Sequence, residues 1–331
     1  MLENVLKGAD FDHLADLHAQ RIQAVKAIRI NTDRTSDLVS KIRLFMRSAT
    51  GGAESSCASL TAPTRGGKTT IVNTFRAAFE PEASSTSDQM PIVYVEVPSS
   101  ATPKTLGRAA LERLRDINPD RGDGDYKRLQ ITKGLRKRGT RLLIFDEMQR
   151  LVERDRGKVS YKVADWIQGL INDSQGECSF LLVGTTRSRR IYEANGHLVG
   201  RNDFHFEILP YKRESEDPED WKRYRAYLAH FDQQLREHAG FAVSDLHKSD
   251  LARRIHAASL GYPGATAKLI QTAAVDSLLN SDGERLDLES FATGFDRLWR
   301  YSEAAKTNPF SASRPPLPEQ VWPEPWEDSL D

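Results

Sequence analysis

Cysteine is scarce: the chain has two, Cys57 and Cys178, at no spacing that builds a zinc site. A disulfide-stapled secreted scaffold and a zinc module are both excluded. Both cysteines fall at or beside apolar segments that read as strands, so buried free thiols in a reducing compartment are expected. An excess of charge is missing as well, because 47 basic and 47 acidic side chains cancel. No global basic field exists, so any contact with nucleic acid has to come from a local patch. Long hydrophobic runs are absent too. No stretch approaches the ~20 apolar residues of a membrane span, and no N-terminal stretch has the apolar core of a signal peptide. A cytoplasmic location is the expectation. No internal repeat is visible.

What is present is a soluble globular balance, 28% charged and 39% apolar over 331 residues. That suffices for one large domain or two modest ones. The chain is organised around Ala62-Pro63-Thr64-Arg65-Gly66-Gly67-Lys68-Thr69-Thr70. Ser55 to Leu60 before it reads as a short strand, and Ile71 to Phe79 after it carries a helical apolar pattern. Strand, glycine loop, Gly-Lys-Thr and helix form the context of a phosphate-binding loop. Thr64, Arg65, Gly66, Gly67, Lys68, Thr69 and Thr70 would hold a triphosphate through backbone N–H groups and the positive end of the helix. Lys68 would bridge the β- and γ-phosphates, and Thr69 would place its hydroxyl on Mg²⁺. The first glycine of the usual pattern is Ala62 here, which is tolerable where φ is negative. The competing reading of the loop alone is an ordinary glycine-rich turn.

A second motif decides between them. Arg141 to Glu147 reads RLLIFDE. Leu142 to Phe145 suits a strand buried on both faces, and it ends in Asp146 and Glu147, where doubly wound sheets place ligands. Asp146 is positioned to hold Mg²⁺ and Glu147 to orient the attacking water. Together the two motifs read as a P-loop ATPase, with ATP and Mg²⁺ as cofactors. Ser179 to Val183 is another buried strand. Thr185 at its tip either reaches the γ-phosphate or the lytic water, or ends the strand in a simple turn. Arg201 stands before the strand Phe204 to Ile208. It is either a helix C-terminal cation or an arginine finger for a neighbouring subunit's nucleotide.

Around this core the expected organisation has four parts. Residues 1–50 form a helical pre-domain, with stripes from Phe11 to Ile28 and from Thr35 to Met46. Residues 51–212 form the αβα nucleotide-binding domain, in which Pro91 to Val97 is the second strand and the stripe containing Trp166 is core packing. Residues 213–305 read as a lid of four helices, broken at Gly261-Tyr262-Pro263-Gly264. Lys268 in the lid either reaches the γ-phosphate or stays on the surface. Residues 306–331 are Pro-rich with isolated Phe310, Trp322 and Trp326, and are expected to be disordered alone. They form either a docking peptide or a plain solvated tail. Lys127 to Arg141 contains seven cations and no acid. It is either a solvated helix face or a surface for the phosphate backbone.

The chain resembles the AAA+ ATPases of transposition, the TniB/TnsC family, from about residue 20 to 300. The text that carries the likeness is RLLIFDEMQRLVE, KVADWIQGLIND, FLLVGTTRSRRIYEAN and GRNDFHFEILPY. Lys68, Thr69, Asp146 and Glu147 all match the family's motifs. The resemblance implies a five-stranded parallel αβα sandwich of strand order 5-1-4-3-2 followed by a helical lid. It implies ATP-dependent assembly on duplex DNA, as a ring or a filament, that links a target-selection protein to a DDE transposase. It places Lys104 and Thr105 at the DNA, with Lys127 to Arg138, including Lys127 and Arg136, as a second candidate surface. It also implies a second-sensor arginine after Gly261-Tyr262-Pro263, where this chain has Gly264. Two other readings stay open: a helicase loader or replication initiator with the same core, and a nucleotide-gated scaffold whose turnover is incidental.

Overall fold

The apolar runs between turn signals form five strands. The computed structural model describes residues 8–48, 54–79, 88–152, 161–194, 202–280, 285–299 and 305–322. Its strands are β1 (Cys57–Thr61), β2 (Ile92–Glu96), β3 (Leu142–Asp146), β4 (Ser179–Gly184) and β5 (Asn202–Glu207). The sheet is parallel throughout, in the order β2-β3-β4-β1-β5, which is the order the resemblance implies. β1, β3 and β4 are buried at every position, which is why Leu142 to Phe145 and Phe180 to Val183 are continuous apolar runs, while buried Ser59 of β1 is hydrogen-bonded to His205 Nδ1 at 2.7 Å. At the edge, β2 alternates, burying Val93 and Val95.

The helices described are α1 (Gly8–Ala27), α2 (Asp33–Ser48), α3 (Lys68–Ala77), α4 (Pro103–Arg113), α5 (Gly124–Lys137), α6 (Tyr161–Asp173), α7 (Arg189–Ala194), α8 (Pro218–Ala239), α9 (Ser249–Ser259), α10 (Pro263–Asn280), α11 (Leu288–Trp299) and α12 (Pro318–Val321). Leu106, Ile131 and Trp166 of α4, α5 and α6 cover one sheet face with Leu143 and Phe180. Phe45, Ile71 and Phe75 of α2 and α3 cover the other with Leu60, Ile144 and Leu181. Trp166 is core, as expected, and its indole N–H donates to the Gly124 carbonyl at 2.8 Å. Cys57 and Cys178 are buried thiols outside any disulfide, and burial pushes the Cys178 thiol pKa up. Among the described residues no helix is long and apolar enough to cross a membrane.

The chain divides into two compact units, and the division corrects two expectations. Residues 33–64 and 68–208 form the αβα unit, while residues 1–32, 65–67 and 209–331 form a helical unit. The pre-domain 1–50 is therefore not one piece. In the helical unit, Val25, Ile28 and Ile30 join the core of α8 and α10. The Arg21 guanidinium donates to the Ala239 carbonyl at 2.7 Å. In the αβα unit, Ile42, Phe45 and Met46 of α2 pack on the sheet, with Phe45 edge-on to Phe204 at 5.5 Å.

The second correction concerns the Pro-rich tail. Residues 305–322 are packed, not free, whereas Trp326 lies outside the described residues. Phe310 stacks on Phe291 at 5.1 Å, and Trp322 meets Trp299 edge-on at 5.2 Å. Buried Arg254 holds the strap, donating to the carbonyls of Pro309 at 2.6 Å and Ala312 at 2.8 Å. The strap has no core of its own, but α11 offers it a ready apolar face of Phe291, Phe295 and Trp299. Trp322→Ala in the full chain should therefore cost about 3–5 kcal/mol and lower the denaturant midpoint of the helical unit. Tryptophan fluorescence or circular dichroism would report it, and an unchanged midpoint would return the strap to a solvated tail.

Candidate nucleotide-binding site

β1 runs directly into the phosphate-loop sequence, and the Ala62 N–H extends the β1–β4 ladder to the Gly184 carbonyl at 3.4 Å. Ala62 is fully buried, and the left-handed backbone turns fall elsewhere, at Arg65 (φ 61°) and Gly67 (φ 113°). Alanine is thus unstrained at the position where the usual pattern has glycine. A non-glycine residue at positive φ costs about 1–3 kcal/mol and recurs at functional sites. Lys68 opens α3 and is buried. Its ammonium donates to the carbonyls of Ala62 and Pro63, each at 3.0 Å, so it sits inside the curl of the loop. Thr64 and Thr70 are half-buried, Gly66 is buried and Thr69 is exposed at the first turn of α3.

Arg65 and Gly67 also explain a departure from the resemblance. Within the helical unit, the Gly264 backbone lies against this segment. A Cβ at 264 would stand 2.4 Å from the Arg65 carbonyl oxygen and 2.5 Å from the Gly67 nitrogen. No side chain fits there, so a second-sensor arginine has no room at that position. The Arg65 guanidinium lies 4.3 Å over the Trp299 ring, which leaves the backbone of Arg65, not its charge, to the loop. Lys268 is exposed on α10.

The carboxylates stand at the end of β3. Phe145, just before Asp146, pairs with Leu182, and Thr61 pairs with Gly184, in the parallel register. The C-terminal ends of β1, β3 and β4 are therefore neighbours, at the point where the strand order reverses and α/β sheets bind ligands. Asp146 is buried. Its Oδ1 accepts the Glu147 N–H at 2.7 Å and its Oδ2 accepts the Tyr94 hydroxyl at 2.8 Å. Burial, and then the bond to Asp146, raise the Tyr94 pKa far above the ordinary phenol range, so Tyr94 stays protonated and donates. Arg76 of α3 lies 4.6 Å over the Tyr94 ring.

Glu147 has left-handed backbone, φ 64°. Its Oε2 accepts from the Gln149 amide at 2.6 Å and lies 3.9 Å from Arg150 Nε. Thr185 is buried at the tip of β4, and its N–H donates to Gln149 Oε1 at 3.0 Å. Among the described residues its hydroxyl is buried without a hydrogen-bond partner. An ammonium in a glycine-thin loop, a buried carboxylate at a strand end and an orphaned hydroxyl beside it form a donor set that fits a nucleotide triphosphate with a divalent cation.

The other expected residues fall in different places. Lys104 and Thr105 lie in the first turn of α4, both exposed. Thr105 completes a capping box with Thr102, and its hydroxyl accepts the Thr102 N–H at 2.8 Å. Lys127 is no surface contact. It is fully buried, its ammonium donates to the carbonyls of Pro119 and Arg121, and its stem packs on Gly107. Its charge fastens the α4–α5 connection and cannot meet a phosphate backbone. Arg136 is exposed but held by Glu177, both of whose oxygens accept from its Nε at 2.8 and 2.9 Å. Lys133, Lys137 and Arg141 are exposed. Arg201 lies outside the described residues.

Two residues of the site are not named by the sequence reasoning, Tyr94 and Gln149. Tyr94 is a polar-tipped aromatic in an edge strand, a weak signal available before folding. Gln149 reaches its partners through the 3₁₀ turn Met148–Leu151, which no spacing rule announces.

The comparisons agree with this geometry. A search of curated proteins finds no significant match. Among solved structures, Cdc6p from Pyrobaculum aerophilum is similar at 10% identity, covering 82% of this chain and 69% of that one with a TM-score of 0.58. The ORC1 protein of Aeropyrum pernix, solved in complex with DNA, gives 15% identity, 84% and 69% coverage and a TM-score of 0.57. Drosophila ORC bound to DNA gives 14%, 90% and 70%, with a TM-score of 0.53. These likenesses establish the AAA+ αβα fold with a helical C-terminal region. The family described as "Bacterial TniB protein" matches residues 21–211. That span is more than half of the chain and includes every strand-end residue just described, and the chain therefore belongs to the TniB family.

Proposed function

We propose that this chain is an ATP-dependent, DNA-binding AAA+ regulator of DNA transposition. The observation that carries the reading is the meeting of Lys68, Asp146, Glu147 and Thr185 at the C-terminal edge of one parallel sheet, in a chain of the TniB family. Lys68 would leave the loop carbonyls for the β- and γ-phosphates. Thr69 and Asp146 would hold Mg²⁺, which neutralises charge on those phosphates when bound. Glu147 orients the attacking water and Thr185 senses the γ-phosphate. Arg201 would reach the nucleotide of a neighbouring subunit, so assembly would complete the site. Assembly on duplex DNA would then link a target-selection protein to a DDE transposase, and hydrolysis would reset the complex.

Lys104 supports the DNA part. It is exposed at the first turn of α4, where the helix N-terminus also favours a phosphate. The second reading, a replication initiator or helicase loader, is supported by likeness to ORC and Cdc6 structures, two of them solved on DNA. Light scattering with duplex DNA under ATP, ADP and no nucleotide separates the two. Assemblies that need both ATP and DNA support the transposition reading, and a chain that stays monomeric under ATP and loads a helicase supports the other.

Two variants test the residues. Glu147→Gln should bind ATP and DNA but turn over at least about a hundredfold more slowly, leaving assemblies that persist after ATP addition. Rapid ATP-driven disassembly of that variant would remove Glu147 from its role. Lys104→Ala should weaken binding to all duplex sequences alike and flatten the slope of log K against log salt by about one. An unchanged slope would take Lys104 out of the interface.

A further inference from the structure

Gln149 has no assigned role in either nucleotide motif, yet both ends of its amide are engaged in the site. Its Nε2 donates to Glu147 Oε2 at 2.6 Å, and its Oε1 accepts the Thr185 N–H at 3.0 Å. The two partners fix the amide's orientation: a carboxylate can only accept and a backbone N–H can only donate. The groups around the Glu147 carboxylate are otherwise Asp146, which accepts the Glu147 N–H, and Arg150. Arg150 is itself held, by Glu96 at 2.7 Å and by the Val97 carbonyl at 2.5 Å. Gln149 and Arg150 both address Oε2. Among the described residues Oε1 of Glu147 accepts no hydrogen bond, so it is the oxygen available to a water. The left-handed backbone of Glu147 cannot aim the side chain alone, because its χ angles remain free to rotate.

We infer that Gln149 is a positioning residue that couples Thr185 to Glu147. It holds one carboxylate oxygen so that the other faces the attacking water, and it transmits movement of the β4 tip to that carboxylate. The inference rests on the ATPase reading above. When Thr185 engages a γ-phosphate, a shift of its peptide moves Gln149 Oε1, and the same rigid amide carries the shift to the Glu147 carboxylate through Nε2. The device links occupancy of the strand tip to the geometry of the water-orienting group with one side chain.

The test is steady-state ATP hydrolysis by the full chain with duplex DNA present. Gln149→Met keeps length and volume and removes both hydrogen bonds. It should lower kcat by about tenfold or more while KM for ATP stays within about twofold, because the lost interactions act after binding. Added to Glu147→Gln, it should change the residual rate by less than about twofold, since residues that act through one another are not additive. Gln149→Glu keeps an acceptor for the Thr185 N–H but sets a carboxylate against Glu147, and should lose kcat in the same way. It also stands in if the methionine variant does not fold. Wild-type turnover with an unchanged kcat in both Gln149 variants, or losses that multiply in the double variant, would overturn this inference alone. An inert wild-type chain would overturn the ATPase reading and this inference with it.

Discussion

The parallel hydrogen-bond register of β1, β3 and β4 is the constraint on which the site depends. Thr61 lies opposite Gly184 and Phe145 opposite Leu182, so three strand ends finish side by side. Residues 62, 146 and 185 are far apart in the chain and become neighbours only through those ladders. A parallel sheet needs helical crossovers, and α3 to α6 supply them while covering both faces. Burial on both faces then demands continuous apolar strands. The polar residues of the site are confined to the strand tips, where backbone and side-chain partners can satisfy them.

Directed hydrogen bonds hold the charged groups at those tips. Both oxygens of Asp146 are engaged, by Tyr94 and by the Glu147 N–H. Gln149 closes a bridge from Glu147 to Thr185. Lys68 is pinned by two loop carbonyls. In a site of low dielectric such bonds fix direction as well as contributing energy, and preorganised direction is what phosphoryl transfer asks of a protein. Two buried hydroxyls at the β4 tip, those of Thr185 and Thr186, have no hydrogen-bond partner among the described residues.

The helical unit follows a different logic. Its core contains an aromatic cluster of Tyr211, Trp221, Tyr224, Tyr227 and Phe231, in which Trp221 and Tyr224 meet His256 edge-on. Burial lowers the His256 pKa, and His256 Nε2 lies 2.7 Å from the Tyr211 carbonyl, so the ring is neutral and donates. The unit borrows α1 from the N-terminal end and the strap 305–322 from the C-terminal end. Each borrowed piece is tied by an arginine reaching carbonyls, Arg21 in one case and Arg254 in the other.

The strands, their burial and the loop motif were legible in the sequence because each rests on local pattern: a glycine-thin turn, an apolar run, a helix period. The placement of Lys68 at the start of α3 and of Asp146, Glu147 and Thr185 at strand ends was legible for the same reason, since a strand tip can be read from where an apolar run stops. Lys127 was misplaced because a basic run looks the same whether its members face water or a ring of carbonyls. That ammonium is taken up by the carbonyls of Pro119 and Arg121 in the α4–α5 connection. The strap was misplaced because a segment with no core of its own can still bury Phe310 and Trp322 on a face supplied by α11. The sequence by itself determined the strands, the glycine-thin loop after β1 and which residues stand at the strand tips. Tertiary structure alone decided which helices share a core, why Gly264 can hold no side chain, and that Gln149 joins Glu147 to Thr185. Those depend on distances between segments that no local pattern encodes.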